Sequence, residues 1–89
     1  MRQGLYMVFD SKVVGYSMPF MSPSDAAASR TFGDACRREG TLMFEHPEDF
    51  VLMRVADIDD ATGAVAVPVT PVEICQGRHV VKKESANVR

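Results

Sequence analysis

The sequence predicts a small α+β domain: an antiparallel sheet of four to five strands, in β-β-α-β-β order, with one helix packed on one face. Three observations lead there. Two β-prone runs near the start are separated by a short polar pair. A helix-start signal, Ser22-Pro23-Ser24-Asp25, opens a stretch with apolar residues at helical spacing. An alternating run, FVLMRVADI, ends in an acidic turn closed by Gly.

The elements follow in chain order. Residues 5–9, LYMVF, are short, apolar and aromatic, and residues 12–16, KVVGY, follow after Asp10-Ser11. Two such runs read as a hairpin, with Gly15 marking a weak point or a bulge. Tyr16 and Phe20 read as lying in a loop beside Lys12. Ser22 is placed to cap a helix, Pro23 to occupy its first position, and Asp25 to act as a capping-box acid. The helix is expected to run to about Arg38 and to stop at Gly40. Ala28, Phe32, Ala35 and Cys36 share the face turned to the sheet, and Arg30, Asp34 and Arg37 the opposite one. Asp34 stands four residues before Arg38, the favourable order for a surface ion pair.

Residues 41–49 form a connection containing Pro47. Residues 50–58 form a strand, with Val51, Met53 and Val55 on one face and Phe50, Leu52, Arg54 and Ala56 on the other. The turn Asp59-Asp60-Ala61-Thr62-Gly63 leads into a return strand at 64–67, which Pro68 and Pro71 end. Residues 72–75, VEIC, are a fifth strand candidate that 79–81 can extend. Residues 1–76 are thus expected to form the domain, and residues 77–89 a flexible tail.

At 89 residues the chain is one domain. A chain of this size hides only about 60–65% of its unfolded surface, so the core is thin and self-association is an expected source of stability. The apolar fraction of 46% and charged fraction of 25% are those of a globular protein. No apolar run approaches the roughly 18 residues that cross a bilayer, and MRQGLYMVFD lacks a signal-peptide core. The expectation is a cytoplasmic protein with no membrane partner. Two cysteines, Cys36 and Cys75, are too few for a disulfide framework and read as small core residues.

The net charge of −2 hides an uneven distribution. Residues 45–60 carry six acids and one base, net −5, whereas residues 77–89 carry four bases and one acid, net +3. A basic tail on an acidic body reaches a polyanion, or serves only as a solubilising end.

No enzymatic constellation emerges. Cys36, Cys75, His46 and His79 are the only soft ligands, and no two stand at a zinc-site spacing, so neither a metal site nor another cofactor is expected. Asp57, Asp59 and Asp60 fail the calcium-loop pattern, with Thr62 where Gly is needed and Pro68 where Glu is needed. The serines lie near turns or caps, without a positioned base. No phosphate-binding glycine motif is present. The chain therefore reads as a binding protein with no catalytic residue.

The ordered set of Phe9-Asp10, Pro19-Phe20, Pro47-Glu48-Asp49-Phe50 and Asp59-Asp60-Ala61-Thr62-Gly63 resembles the small non-structural protein of the gokushoviruses, single-stranded DNA phages of the Microviridae. The likeness covers roughly residues 5–72. Ala56 and Ile58 depart from it where the family usually has Gly and an aromatic. The resemblance implies a role in the phage DNA cycle inside the host bacterium: binding DNA during the switch to single-strand synthesis, or during packaging. It supplies no binding residues.

Two functional readings follow. In the first, the protein binds single-stranded DNA as a homo-oligomer, a dimer or higher. Lys12, Arg30, Arg37, Arg38, Arg54, Arg78, Lys82 and Lys83 then neutralise phosphates, and Tyr16 or Phe20 stacks on bases. The arginines of the helix equally suit a solvated face. In the second, the protein is an interaction module that binds the phage replication initiator or a host replication protein without touching DNA. The net −5 segment favours it, because DNA is repelled there.

Overall fold

The computed structural model describes residues 1–80. The predicted α+β class is what it shows: a five-stranded antiparallel sheet with a helix across one face. The strands are β1 (Arg2–Asp10), β2 (Gly15–Ser22), β3 (Phe50–Asp59), β4 (Val65–Ala66) and β5 (Val72–Gln76), and the helices are α1 (Asp25–Cys36) and α2 (Leu42–Glu45). The sheet runs β2-β1-β3, and the far edge of β3 pairs with β4 near one end and with β5 near the other.

The hairpin turn falls later than expected. Residues 11–14 form it, closed by the Val14 N–H donating to the Asp10 carbonyl at 2.8 Å, and Val14 takes a positive φ of 56°. The second strand therefore starts at Gly15 and absorbs the predicted loop, pairing Tyr16 with Phe9, Phe20 with Tyr6 and Ser22 with Gly4. A register shift opposite Met7 interrupts it. Pro19 is tolerated because β2 is an edge strand, where a missing N–H costs no ladder bond.

Strand pairing of Ser22 also moves the helix start. Ser24 is the cap, its Oγ accepting from the Ala27 N–H at 3.0 Å, and Asp25 opens α1. The helix ends at Cys36, and the left-handed Gly40 (φ 87°) belongs to the loop beyond it. Asp34 pairs with Arg37 at 2.9 Å rather than with Arg38, because Arg38 lies past the last helical turn. Thr41 caps α2, and Pro47–Asp49 form a 3-10 turn, so the connection is helical in two short pieces.

The predicted helix face packs as expected. Ala28, Phe32 and Cys36 join Tyr6, Val8, Met43, Phe50 and Leu52 in one cluster, with Ala35, Phe20, Ile74, Cys75 and Val80 against its edge. The alternation of β3 holds from Phe50 to Arg54 and then slips. Tyr6 faces Arg54 but Leu5 faces Ala56, so Val55 is the extra residue of a bulge. Ala56 therefore stands with Leu5 rather than with the helix-side residues, and it is buried without joining their cluster.

The acidic turn forms as read: the Gly63 N–H donates to the Asp59 carbonyl at 2.7 Å, and Gly63 has φ 79°. Packing continues beyond Gln76. Residues 77–80 are helical, not a strand extension, and Val80 reaches the core. Gly77 ends β5 where a Cβ would lie 2.3 Å from the Pro47 carbonyl oxygen.

Candidate functional site

The candidate DNA-binding residues do not share one surface. Arg30 and Arg37 lie two turns apart along α1, with Gly33 on the flank beside them. A Cβ on Gly33 would meet Val80 Cγ1 at 2.7 Å and the Arg37 guanidinium at 3.2 Å. Val80 therefore packs on this flank, and Arg78, two residues earlier, is exposed with its Nε donating to Gln76 Oε1 at 2.8 Å. One turn earlier, the Cys75 thiol donates to Ser29 Oγ at 3.6 Å, anchoring the end of β5 to the same helix. Arg30 and Arg37 share this flank, with Arg37 paired to Asp34 at 2.9 Å. Lys82 and Lys83 lie outside the described residues.

The remaining candidates are dispersed. Arg38 is exposed beyond the end of α1. Lys12 sits in the β1–β2 turn, lining a hollow of about 530 Å³ together with Asp10, His46, Glu48 and Asp49, an acidic setting for a phosphate contact. Tyr16 lies on the sheet face away from α1, its ring 4.9 Å from that of Phe9. Phe20 is half-buried and stacked on Tyr6 at 5.7 Å, which commits it to packing.

Arg54 is tied down. Its Nη1 donates to both carboxylate oxygens of Asp25 at 3.2 Å, and its Nε lies 3.9 Å from Asp57. The Tyr6 hydroxyl donates to the same Asp25 at 2.6 Å. Burial, reinforced by that hydrogen bond, pushes the Tyr6 hydroxyl pKa up to about 12. This network closes the end of the sheet next to the start of α1. Two acids share the one guanidinium, so it is poorly placed to attract a further anion.

The thiols are equally committed. Burial pushes Cys36 up to about 11 and raises Cys75, so both are weak nucleophiles near neutral pH. One grouping escapes spacing rules based on soft ligands. His46, Glu48 and Asp49 bring one ligand atom each to within 4.8 Å of one another, because the 3-10 turn begun at Pro47 folds His-Pro-Glu-Asp back on itself. His46 Nδ1 and Glu48 Oε2 are 3.7 Å apart, and both side chains are exposed. The signal for it was the four-residue motif itself.

Among the described residues no helix is long and apolar enough to cross a membrane. No curated protein and no solved structure matches the chain. A family model does: that of the Phage ORF5 protein matches residues 3–80, which takes in the helical turn after β5 and all of the sheet except Arg2. The chain that folds β1 to β5 around α1 and packs Val80 against Gly33 belongs to the Phage ORF5 protein family.

Proposed function

We propose that this phage accessory protein binds single-stranded DNA in the host cytoplasm, through the arginine flank of α1, and acts in genome replication or packaging. It works as a binding protein, not as an enzyme. Arg30 and Arg37 share one flank of α1, and the Val80–Gly33 contact brings the segment that carries Arg78 against the same helix, which supports the reading. Lys82 and Lys83 follow Val80 closely in the sequence. The likeness of the Phe9-Asp10, Pro47–Phe50 and Asp59–Gly63 motifs to the gokushovirus protein supports a place in a single-stranded DNA cycle.

Anisotropy of a labelled single-stranded oligonucleotide tests this. Affinity is expected to fall steeply with salt, by roughly 0.7 in log-log slope for each phosphate neutralised. Arg30→Ala and Arg78→Ala should each weaken binding and flatten that slope. Arg54→Ala should leave the slope unchanged, because Arg54 is held by Asp25 and Asp57. Absence of binding at low salt, or binding that salt does not alter, sinks the reading.

The acidic side favours a second reading. Asp57, Asp59 and Asp60 lie together on the end of β3 and its turn, where they would repel DNA. A protein partner such as the phage replication initiator or a host replication protein suits that surface. Capture of such a partner that persists after nuclease treatment, with no oligonucleotide binding, would select it.

A further inference from the structure

Cross-strand partners stand on the same face of a sheet. On the face away from α1 this rule gathers Leu5, Met7 and Phe9 of β1 with Val51 and Met53 of β3, and Met21 of β2 opposite Leu5. No charge interrupts the middle of this surface. Glu73, opposite Met53, stands on β5 at its border. Among the described residues every helical element packs on the other face: α1 and Met43 of α2 enter the core there, and residues 77–80 lie along α1. The molecule is accordingly two layers deep, with a shortest extent of 21 Å.

We propose that this open face is the interface of a homodimer, in which two sheets pack against each other. Three observations choose a second copy as the occupant. The first is area. Nine residues of β1 span about 30 Å, and four strand widths about 19 Å, so the face offers roughly 550 Å² per protomer. Two such faces bury about 1,100 Å², just above what a specific interface needs. The second is shape and charge. Four hollows lined by described residues lie around the helix side and the sheet ends rather than on this face. Facing sheets pack about 10 Å apart and interdigitate flat surfaces of this kind, and an uncharged centre meets no repulsion from its own copy. Met7, Met21 and Met53 adapt readily to such a contact.

The third is the arm after β3. Val65, opposite Ile58, is 59% exposed, and Val67 and Val69 after it are 72% and 102% exposed. The apolar surface thus extends past the sheet edge, where a second sheet would cover it. The dimer leaves Arg30, Arg37 and Arg78 on the outer side of each protomer, so it stands or falls apart from the DNA reading.

Sedimentation equilibrium of the full chain is expected to give twice the 9.8 kDa chain mass at tens of micromolar. Met7→Glu and Met53→Glu should return the single-chain mass with unchanged circular dichroism, whereas Arg30→Glu should keep the dimer. Methionine-methyl NMR of the unmodified protein provides a readout that does not depend on the variants folding. The Met7 and Met53 methyls should become shielded from a soluble paramagnetic probe as concentration rises, while Met1 stays accessible. A single-chain mass at every concentration overturns the proposal, and so does a dimer in which those methyls remain accessible. Shielding at all concentrations that is lifted by deleting residues 81–89 assigns the face to the chain's own C-terminus and also overturns it.

Discussion

The carboxylate of Asp25 holds the buried Tyr6 hydroxyl, its one partner, together with the Arg54 guanidinium. It accepts from the Tyr6 hydroxyl at 2.6 Å and from the Arg54 guanidinium at 3.2 Å, and Tyr6 is only 1% exposed. Asp25 itself is half exposed, so solvent screens much of the ion pair. The larger share therefore rests on the tyrosine. Asp25→Ala is expected to lower stability by about 1–3 kcal/mol in urea denaturation, the cost of an orphaned buried donor, and Asp25→Asn by less. The same contact has a pH signature. The folded-state pKa of Tyr6 is about 12, against an unfolded value near 10. Between those values the unfolded chain releases its phenolic proton first, so this contribution is complete below about pH 10 and lost as pH climbs to about 12. Tyr6→Phe should remove that alkaline limb from a stability-versus-pH profile. Unchanged alkaline loss in the variant would assign it to other groups.

At the scale of elements, the clearest local signal named the right helix and the wrong cap. Ser22-Pro23-Ser24-Asp25 contains two candidate caps two residues apart, and either satisfies the propensity rules. Pairing decides between them: Ser22 is buried opposite Gly4 at the end of β2, which leaves Ser24 to cap α1. Ser24→Ala should therefore cost about 1 kcal/mol, while Ser22→Ala should show no loss of helix capping. Equal effects in thermal melts would contradict that assignment. The acidic turn was legible because Asp59 and Gly63 close it by themselves, through the Asp59 carbonyl and a glycine at positive φ. The bulge at Val55 was not legible, since it exists only as a mismatch between β3 and β1.

At the scale of the molecule, the folded unit reaches Val80. Residues 77–80 close over α1, Val80 packs against the core, and the family match ends at the same place. Truncation after Val80 is expected to leave the melting temperature nearly unchanged. Truncation after Gln76 should lower it by several degrees, through lost burial of one aliphatic side chain worth about 1.5–3 kcal/mol. Equal melting temperatures for the two truncations would place the boundary at Gln76 instead. The arginine flank belongs to this scale too. Arg30 and Arg37 were visible as a helix stripe, but the Val80–Gly33 contact that brings the segment carrying Arg78 to α1 was not. By the same logic Arg54, Phe20 and Lys12 lost their candidacy to Asp25, Tyr6 and an acidic hollow.

What the sequence determined alone was whatever depends on neighbours along the chain: the α+β class, the apolar stripe of Ala28, Phe32 and Cys36, the Gly63 turn, and the ordered motifs of a phage family. Helical and strand periodicity, turn chemistry and capping act over a few residues, so a linear reading finds them. Tertiary structure decided which serine caps, where β3 slips its register, which helix flank receives Val80, and which sheet face is left bare. Those outcomes depend on partners tens of residues away, and register and burial select among options that local chemistry leaves equal.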